Sequence, residues 1–247
     1  MSGRDGKPAS GGRASLRANS TLARKGDARS LDPVYETIEN YYTAKVSKYG
    51  AMPLGVDWTC VATQELRFVQ LVKICEFSAP FSLNDLGCGY GALLAYLSKR
   101  HASADINYFG VDVSGAMIAH ARRLYSRRPK IRFAIDSTSP RTADYSVASG
   151  IFNVKLEQEI DVWESFIEQT LVELKAKSRR GFSVNFMLPD RQPHAANKML
   201  YRTAPGRWAE FCQDRLDCSV ETIAGYGLRE FTLLARSRSA PELAETG

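Results

Sequence analysis

Phe81-Ser-Leu-Asn-Asp85-Leu-Gly87-Cys-Gly89-Tyr-Gly91, running directly into Ala92-Leu-Leu-Ala-Tyr-Leu97, is the stretch that decides the fold. Phe81, Leu83 and Asp85 alternate with Ser82 and Asn84 as in a short strand, whereas Leu93, Leu94 and Leu97 recur at the spacing of a helix face. The three glycines between them must make the bend, because a turn that tight needs residues that accept positive φ and carry no Cβ. The helix that follows points its free N–H groups at the same spot. Asp85 adds a negative charge at the carboxyl end of the strand, where a doubly wound sheet keeps its ligand crevice.

Taken alone, Gly87-x-Gly89-x-x-Ala92 also fits the dinucleotide fingerprint, which leaves a nicotinamide-dependent oxidoreductase open. Two features tilt the reading. The third glycine falls at Gly91, and a carboxylate stands two residues before the first glycine, where a pyrophosphate would be repelled but an amino group held. Asp85-x-Gly87-x-Gly89-x-Gly91 resembles motif I of the class I S-adenosylmethionine-dependent methyltransferases.

Downstream, strands alternate with helices. Ile106–Asp112 reads as a second strand, ending in a carboxylate 21 residues beyond Gly91, a spacing that suits an acid bonding ribose hydroxyls. A helix opens at Ser114. The third strand, Ile131–Ile135, ends at Asp136, and the fourth, Asp144–Ser149, leads into Gly150-Ile-Phe-Asn153. Trp163, Phe166, Ile167, Leu171 and Leu174 mark the next helix and Gly181–Met187 the fifth strand. Such alternation predicts βαβ units and a parallel sheet. After a helix beyond Pro205 the rhythm breaks: Ser219–Ala224 and Glu230–Arg236 are joined through Gly225-Tyr-Gly227, too short a link for anything but an antiparallel pair. The expected fold is α/β, a seven-stranded mostly parallel doubly wound sheet ending in an antiparallel hairpin. Two helices, at about 32–50 and 59–77, precede its first strand.

With 247 residues, 44% apolar and 24% charged, the chain can bury one substantial core. No apolar run approaches the ~20 residues of a membrane helix and no secretory signal is visible, so a soluble, cytoplasmic protein is expected. Five cysteines without a C-x-x-C pair argue for free thiols, against both a disulfide framework and a zinc site. The net charge of +6 is concentrated in residues 1–30, where seven lysines and arginines face only Asp5 and Asp27. That segment has too few apolar residues to offset its ordering entropy and reads as a disordered basic tail, dispensable for fold and activity. The organisation expected is a tail at 1–30, an N-terminal helical lid at 31–77, the core at 78–236 and a C-terminal tail at 237–247.

The resemblance covers residues 32–236, with Gly110-Val-Asp112-Val-Ser114 and Asp136 in the family's order. Gly55-Val-Asp57-Trp58, Gln64-Glu-Leu-Arg67-Phe68, Ala148-Ser-Gly-Ile-Phe-Asn153 and Tyr226-Gly-Leu-Arg-Glu-Phe231 further resemble a bacterial methyltransferase subfamily. It implies S-adenosylmethionine as cofactor and S-adenosylhomocysteine as product. Asp85 and the backbone of Gly87, Gly89 and Gly91 would hold the methionine moiety, Asp112 the ribose, and Val113 belongs to the same set. Met117 would lie against adenine, Asp136 would accept from the adenine amino group, Ser149 would pass beneath the sulfonium, and Arg67 would pair with the cofactor carboxylate. Tyr42, Trp58 and Tyr201 are the expected acceptor pocket, with Asn153 and His194 as catalytic candidates; His101 and His120 read as structural.

The acceptor expected is a small molecule bearing a hydroxyl or amine. Without its tail the body is nearly neutral and lacks the electrostatic footprint of a polyanion binder. The Asn-Pro-Pro-Tyr type of motif that stacks a flipped base is absent after the fourth strand. A protein or RNA methyltransferase and a non-catalytic partner-binding module remain the other readings.

Overall fold

The computed structural model describes residues 31–125, 128–190 and 197–238; the basic tail, His194 and nearly all of the C-terminal tail lie outside them. Helix α1 (Asp32–Tyr49) begins on Pro33 and ends at Gly50, and α2 (Val61–Leu71) follows a short loop. The second helix stops earlier than its apolar pattern predicts. The chain tightens there into a 3-10 turn, Val72–Ile74, in which Val72 and Ile74 are both buried.

The core then alternates as expected: β1 (Phe81–Leu86), α3 (Ala92–Arg100), β2 (Ile106–Asp112), α4 (Gly115–Tyr125), β3 (Ile131–Ile135), β4 (Ala143–Ala148), α5 (Ile160–Ala176), β5 (Ser178–Met187), α6 (Pro205–Arg215), β6 (Cys218–Ala224) and β7 (Glu230–Ser237). The sheet order is β3-β2-β1-β4-β5-β7-β6. β1 pairs in parallel with β2 and β4, and only the pairs made by β7 are antiparallel. The last strand thus lies inside the sheet, between β5 and β6, and Ser237, expected in the C-terminal tail, pairs with Cys218.

Both faces of the sheet are covered. One is packed by α5 and α6 through Trp163, Phe166 and Trp208, and there the Phe186 ring lies parallel to Phe152 at 5.0 Å and to Trp208 at 6.0 Å. The other takes Phe68, Leu71 and Ile74 from the N-terminal segment together with Leu93 and Leu97 of α3. Strand order reverses between β1 and β4, and a doubly wound sheet opens its crevice at that reversal, beyond the carboxyl ends of the strands. The glycine turn after β1 lies there. Among the described residues no helix is long and apolar enough to cross a membrane, and no cluster of His, Cys, Asp or Glu is arranged to hold a metal ion.

Candidate active site

The glycine turn is bolted to the end of β2. The N–H groups of Gly87 and Cys88 both donate to the Val111 carbonyl, at 2.8 and 3.0 Å. Gly89 N–H donates to Oδ2 of Asp112 at 2.9 Å, while Oδ1 of the same carboxylate accepts from Ser114 N–H at 2.8 Å. Gly89 has φ +53°, and a Cβ there would stand 3.4 Å from Val56, in the cavity beneath the turn. Gly91 does something else: its N–H bonds the Cys88 carbonyl, and a Cβ would press on the Tyr125 ring at 3.0 Å. The third glycine lets α4 approach and does not line the cavity.

Three acids line the cavity beyond the strand ends. Asp85 is buried and accepts the Tyr108 phenol at 2.5 Å. Burial lifts its carboxyl to about 7, the Tyr108 hydrogen bond opposes the shift and the Asp112 charge adds to it. Burial likewise lifts Asp112 to about 6 against the pull of the Ser114 and Gly89 N–H groups. Asp136, after β3, is exposed and folds its carboxylate over the N–H groups of Ser137 and Thr138.

The cavity holds about 990 Å³ of atom-free space, its open mouth included. Val113 and Met117 continue the acidic wall, Tyr35, Ile38 and Tyr42 of α1 face it, and Trp58 and Ser149 border its floor. No lysine, arginine or histidine lines it among the described residues.

Of the remaining expected residues, Ser149 has a buried hydroxyl without a hydrogen-bond partner. Asn153 is 2% exposed and is not a lining residue of the cavity; its amide, with neither end partnered, lies behind Gly150, 3.7 Å from where a Cβ on that glycine would stand. Two expectations are corrected. Arg67 does not line the cavity: it is buried, and its guanidinium is taken by Glu230 and the Thr63 carbonyl, so it is not free for a cofactor carboxylate. Tyr201 is packed between α5 and α6, donating to Glu164 and accepting from Trp208, which removes it from the acceptor pocket. His101 stacks on Phe77 and His120 bonds Arg123, both away from the cavity. Sequence reasoning assigned no role to Tyr108, Asn185 or Glu230. A polar residue inside the apolar run of β5 was the available signal for Asn185; its partners lie too far along the chain to be read from spacing.

The same architecture recurs in solved structures. Magnesium protoporphyrin IX methyltransferase from Synechocystis PCC 6803, with bound SAH, superimposes with a TM-score of 0.57 at 13% identity, covering 82% of this chain and 99% of that one. Human N-acetylserotonin methyltransferase in complex with SAM gives 0.56 at 14% identity, covering 84% and 60%. The fold is that of the Rossmann-like methyltransferases. A family described as a methyltransferase domain matches residues 84–176. A Mycobacterium tuberculosis (strain H37Rv) protein named as a methyltransferase is 43% identical over 168 residues, 68% of this chain and 100% of that protein. The chain belongs to this methyltransferase family, which sets aside the oxidoreductase and the non-catalytic module.

Proposed function

We propose that the protein transfers a methyl group from S-adenosylmethionine to a hydroxyl or amine of a small molecule by in-line displacement, leaving S-adenosylhomocysteine. The observation that carries this reading is the cavity wall: aromatic, aliphatic and acidic, with no cation among its described residues. Such a wall offers an anionic acceptor no cationic partner and suits a compact neutral or cationic one.

The residues fit the cofactor. A Cβ at Gly89 would enter the cavity, so only glycine leaves that backbone open to close approach. In this reading Asp85 faces a primary ammonium, Asp112 accepts from ribose hydroxyls and Asp136 from the adenine amino group, each an acceptor set against donors. Val113 and Met117 offer the apolar surface a purine needs. Once bound, the cofactor supplies a methyl group already activated by its sulfonium.

Beyond that, the chain has to place the acceptor and keep water out. Tyr35, Ile38 and Tyr42 cover the cavity from α1, and well-oriented reactants gain effective molarities of ~10⁵–10⁸ M. Ser149 and Asn153 hold the unpaired polar atoms beside the floor and are the groups for the acceptor's hydroxyl or amine.

The test has two arms. S-adenosylhomocysteine at 100 times its dissociation constant should raise thermal stability by ~2.7 kcal/mol, and NADH should not. Transfer of labelled methyl groups to host lysate, split into small-molecule, protein and nucleic-acid fractions, should label the first. Label confined to RNA or to a protein band overturns the acceptor class and leaves the cofactor standing.

A further inference from the structure

A closed circuit of contacts surrounds the cavity floor, and three of its members do not line the cavity. It starts at Gly150, whose N–H donates to Oδ1 of Asn185 at 2.8 Å. Nδ2 of Asn185 donates to Oε2 of Glu230, also at 2.8 Å. The amide has one workable orientation, since its oxygen must face an N–H and its nitrogen a carboxylate. Glu230 accepts from Nε of Arg67 at 2.8 Å and from Nη2 at 2.5 Å, a two-pronged pairing. The Arg67 guanidinium lies 3.7 Å from the centre of the Trp58 ring. The indole returns to the start, because a Cβ on Gly150, where φ is +75°, would collide with its ring carbons.

Arg67, Asn185 and Glu230 are all buried. A buried ion pair is a poor source of stability, and apolar packing of the same volume often does as well or better. What the circuit does provide is geometry. The guanidinium against Trp58 is held in turn by Glu230 on β7 and by the Thr63 carbonyl, and Glu230 by Asn185 on β5. The turn after β4 and the loop before α2, far apart in sequence, are thereby held as one piece. The unpaired Ser149 hydroxyl and Asn153 amide flank that joint.

We propose that Asn185 and Glu230 are positioning residues for methyl transfer. Acting through Gly150 and Arg67, they fix the Trp58 indole and the 149–153 turn relative to each other, so that Ser149 and Asn153 meet the acceptor in one geometry. This rests on the reading of the site as an S-adenosylmethionine and small-molecule site.

The test uses the full chain. Trp163 and Trp208 are sealed in the core, so acrylamide quenching of tryptophan fluorescence reports Trp58. Asn185→Leu is expected to raise that quenching and to lower label transfer to the small-molecule fraction ~10²-fold, the scale set by a misplaced reactant. Affinity for S-adenosylhomocysteine, by calorimetry, should stay at the wild-type value. Glu230→Gln sets an NH₂ against the Asn185 amide nitrogen or an Arg67 N–H, and should raise quenching and lower transfer as well. Should Asn185→Leu fail to fold, Glu230→Gln takes its place as the disrupting variant. Unchanged quenching or transfer in the folded variant overturns the proposal. Failure of the wild type to bind S-adenosylhomocysteine overturns the underlying reading instead.

Discussion

Tyr108 and Asp85 sit on adjacent parallel strands, and the phenol donates to the carboxylate at 2.5 Å inside the sheet. Neither the hydrogen bond nor the surroundings make the acid an ordinary one: burial wins, and Asp85 titrates at about 7. A carboxyl raised in the folded state contributes stability that is fully present below its unfolded value and lost as pH rises through the folded one. Asp85→Asn removes this dependence. The melting temperature of the ligand-free wild type should therefore fall relative to Asp85→Asn as pH goes from about 4 to about 7, followed by differential scanning calorimetry. A constant gap across that window would contradict the burial of the charge.

Ligand affinity should run the other way. If the ionised Asp85 receives an ammonium, affinity for S-adenosylhomocysteine drops by up to ~tenfold per pH unit below about 7. Titration calorimetry at several pH values reads this directly, and between about 6 and 7, above the range in which Asp112 takes up its proton, the slope should vanish in Asp85→Asn.

Gly89→Ala should cost about 1–3 kcal/mol of stability, the strain of a side chain at positive φ. Its far-UV circular dichroism should match wild type while S-adenosylhomocysteine binding is lost. Retained affinity would mean that the cavity beneath the turn is not where the ligand lies.

Asp112→Asn would turn an NH₂ toward one of two N–H donors, those of Gly89 and Ser114. A hydrogen bond to a charged group is worth about 1.5–3 kcal/mol, so affinity should fall ~10–10²-fold, measured by calorimetry.

Asn153→Leu is expected to leave stability unchanged or raise it, since an apolar group replaces a buried amide with no partner. Methyl transfer should fall steeply with cofactor affinity unaltered. A destabilised variant with normal transfer would make Asn153 a structural residue.

The chain's own pattern made the fold legible because each signal was local. Glycines at 87, 89 and 91, the strand ending at Asp112 and the short Gly225–Gly227 link each act within a few residues of themselves. The three acids that line the cavity were legible for the same reason, since each stands at the carboxyl end of a strand. What escaped was set by long-range packing. Arg67 was expected on the cofactor carboxylate, and its partner lies 163 positions away on β7. Tyr201 was expected in the acceptor pocket, yet its N–H bonds the Asn153 carbonyl and its phenol lies between Glu164 of α5 and Trp208 of α6. Spacing along one chain cannot reveal which buried partner a long side chain will find.

The insertion of β7 between β5 and β6 has a consequence for the chain while it is being made. β5 leaves the ribosome with one flank bare and remains so until the residues up to Ser237 emerge, about 50 positions later, or several seconds at ~5–20 residues per second. Over the same interval Arg67 waits for Glu230. A nascent chain halted before Glu230 would present a long, bare strand edge to its neighbours, the surface most prone to pair with another copy. The last strand thus closes an edge of the sheet that lies far from the glycine turn after β1.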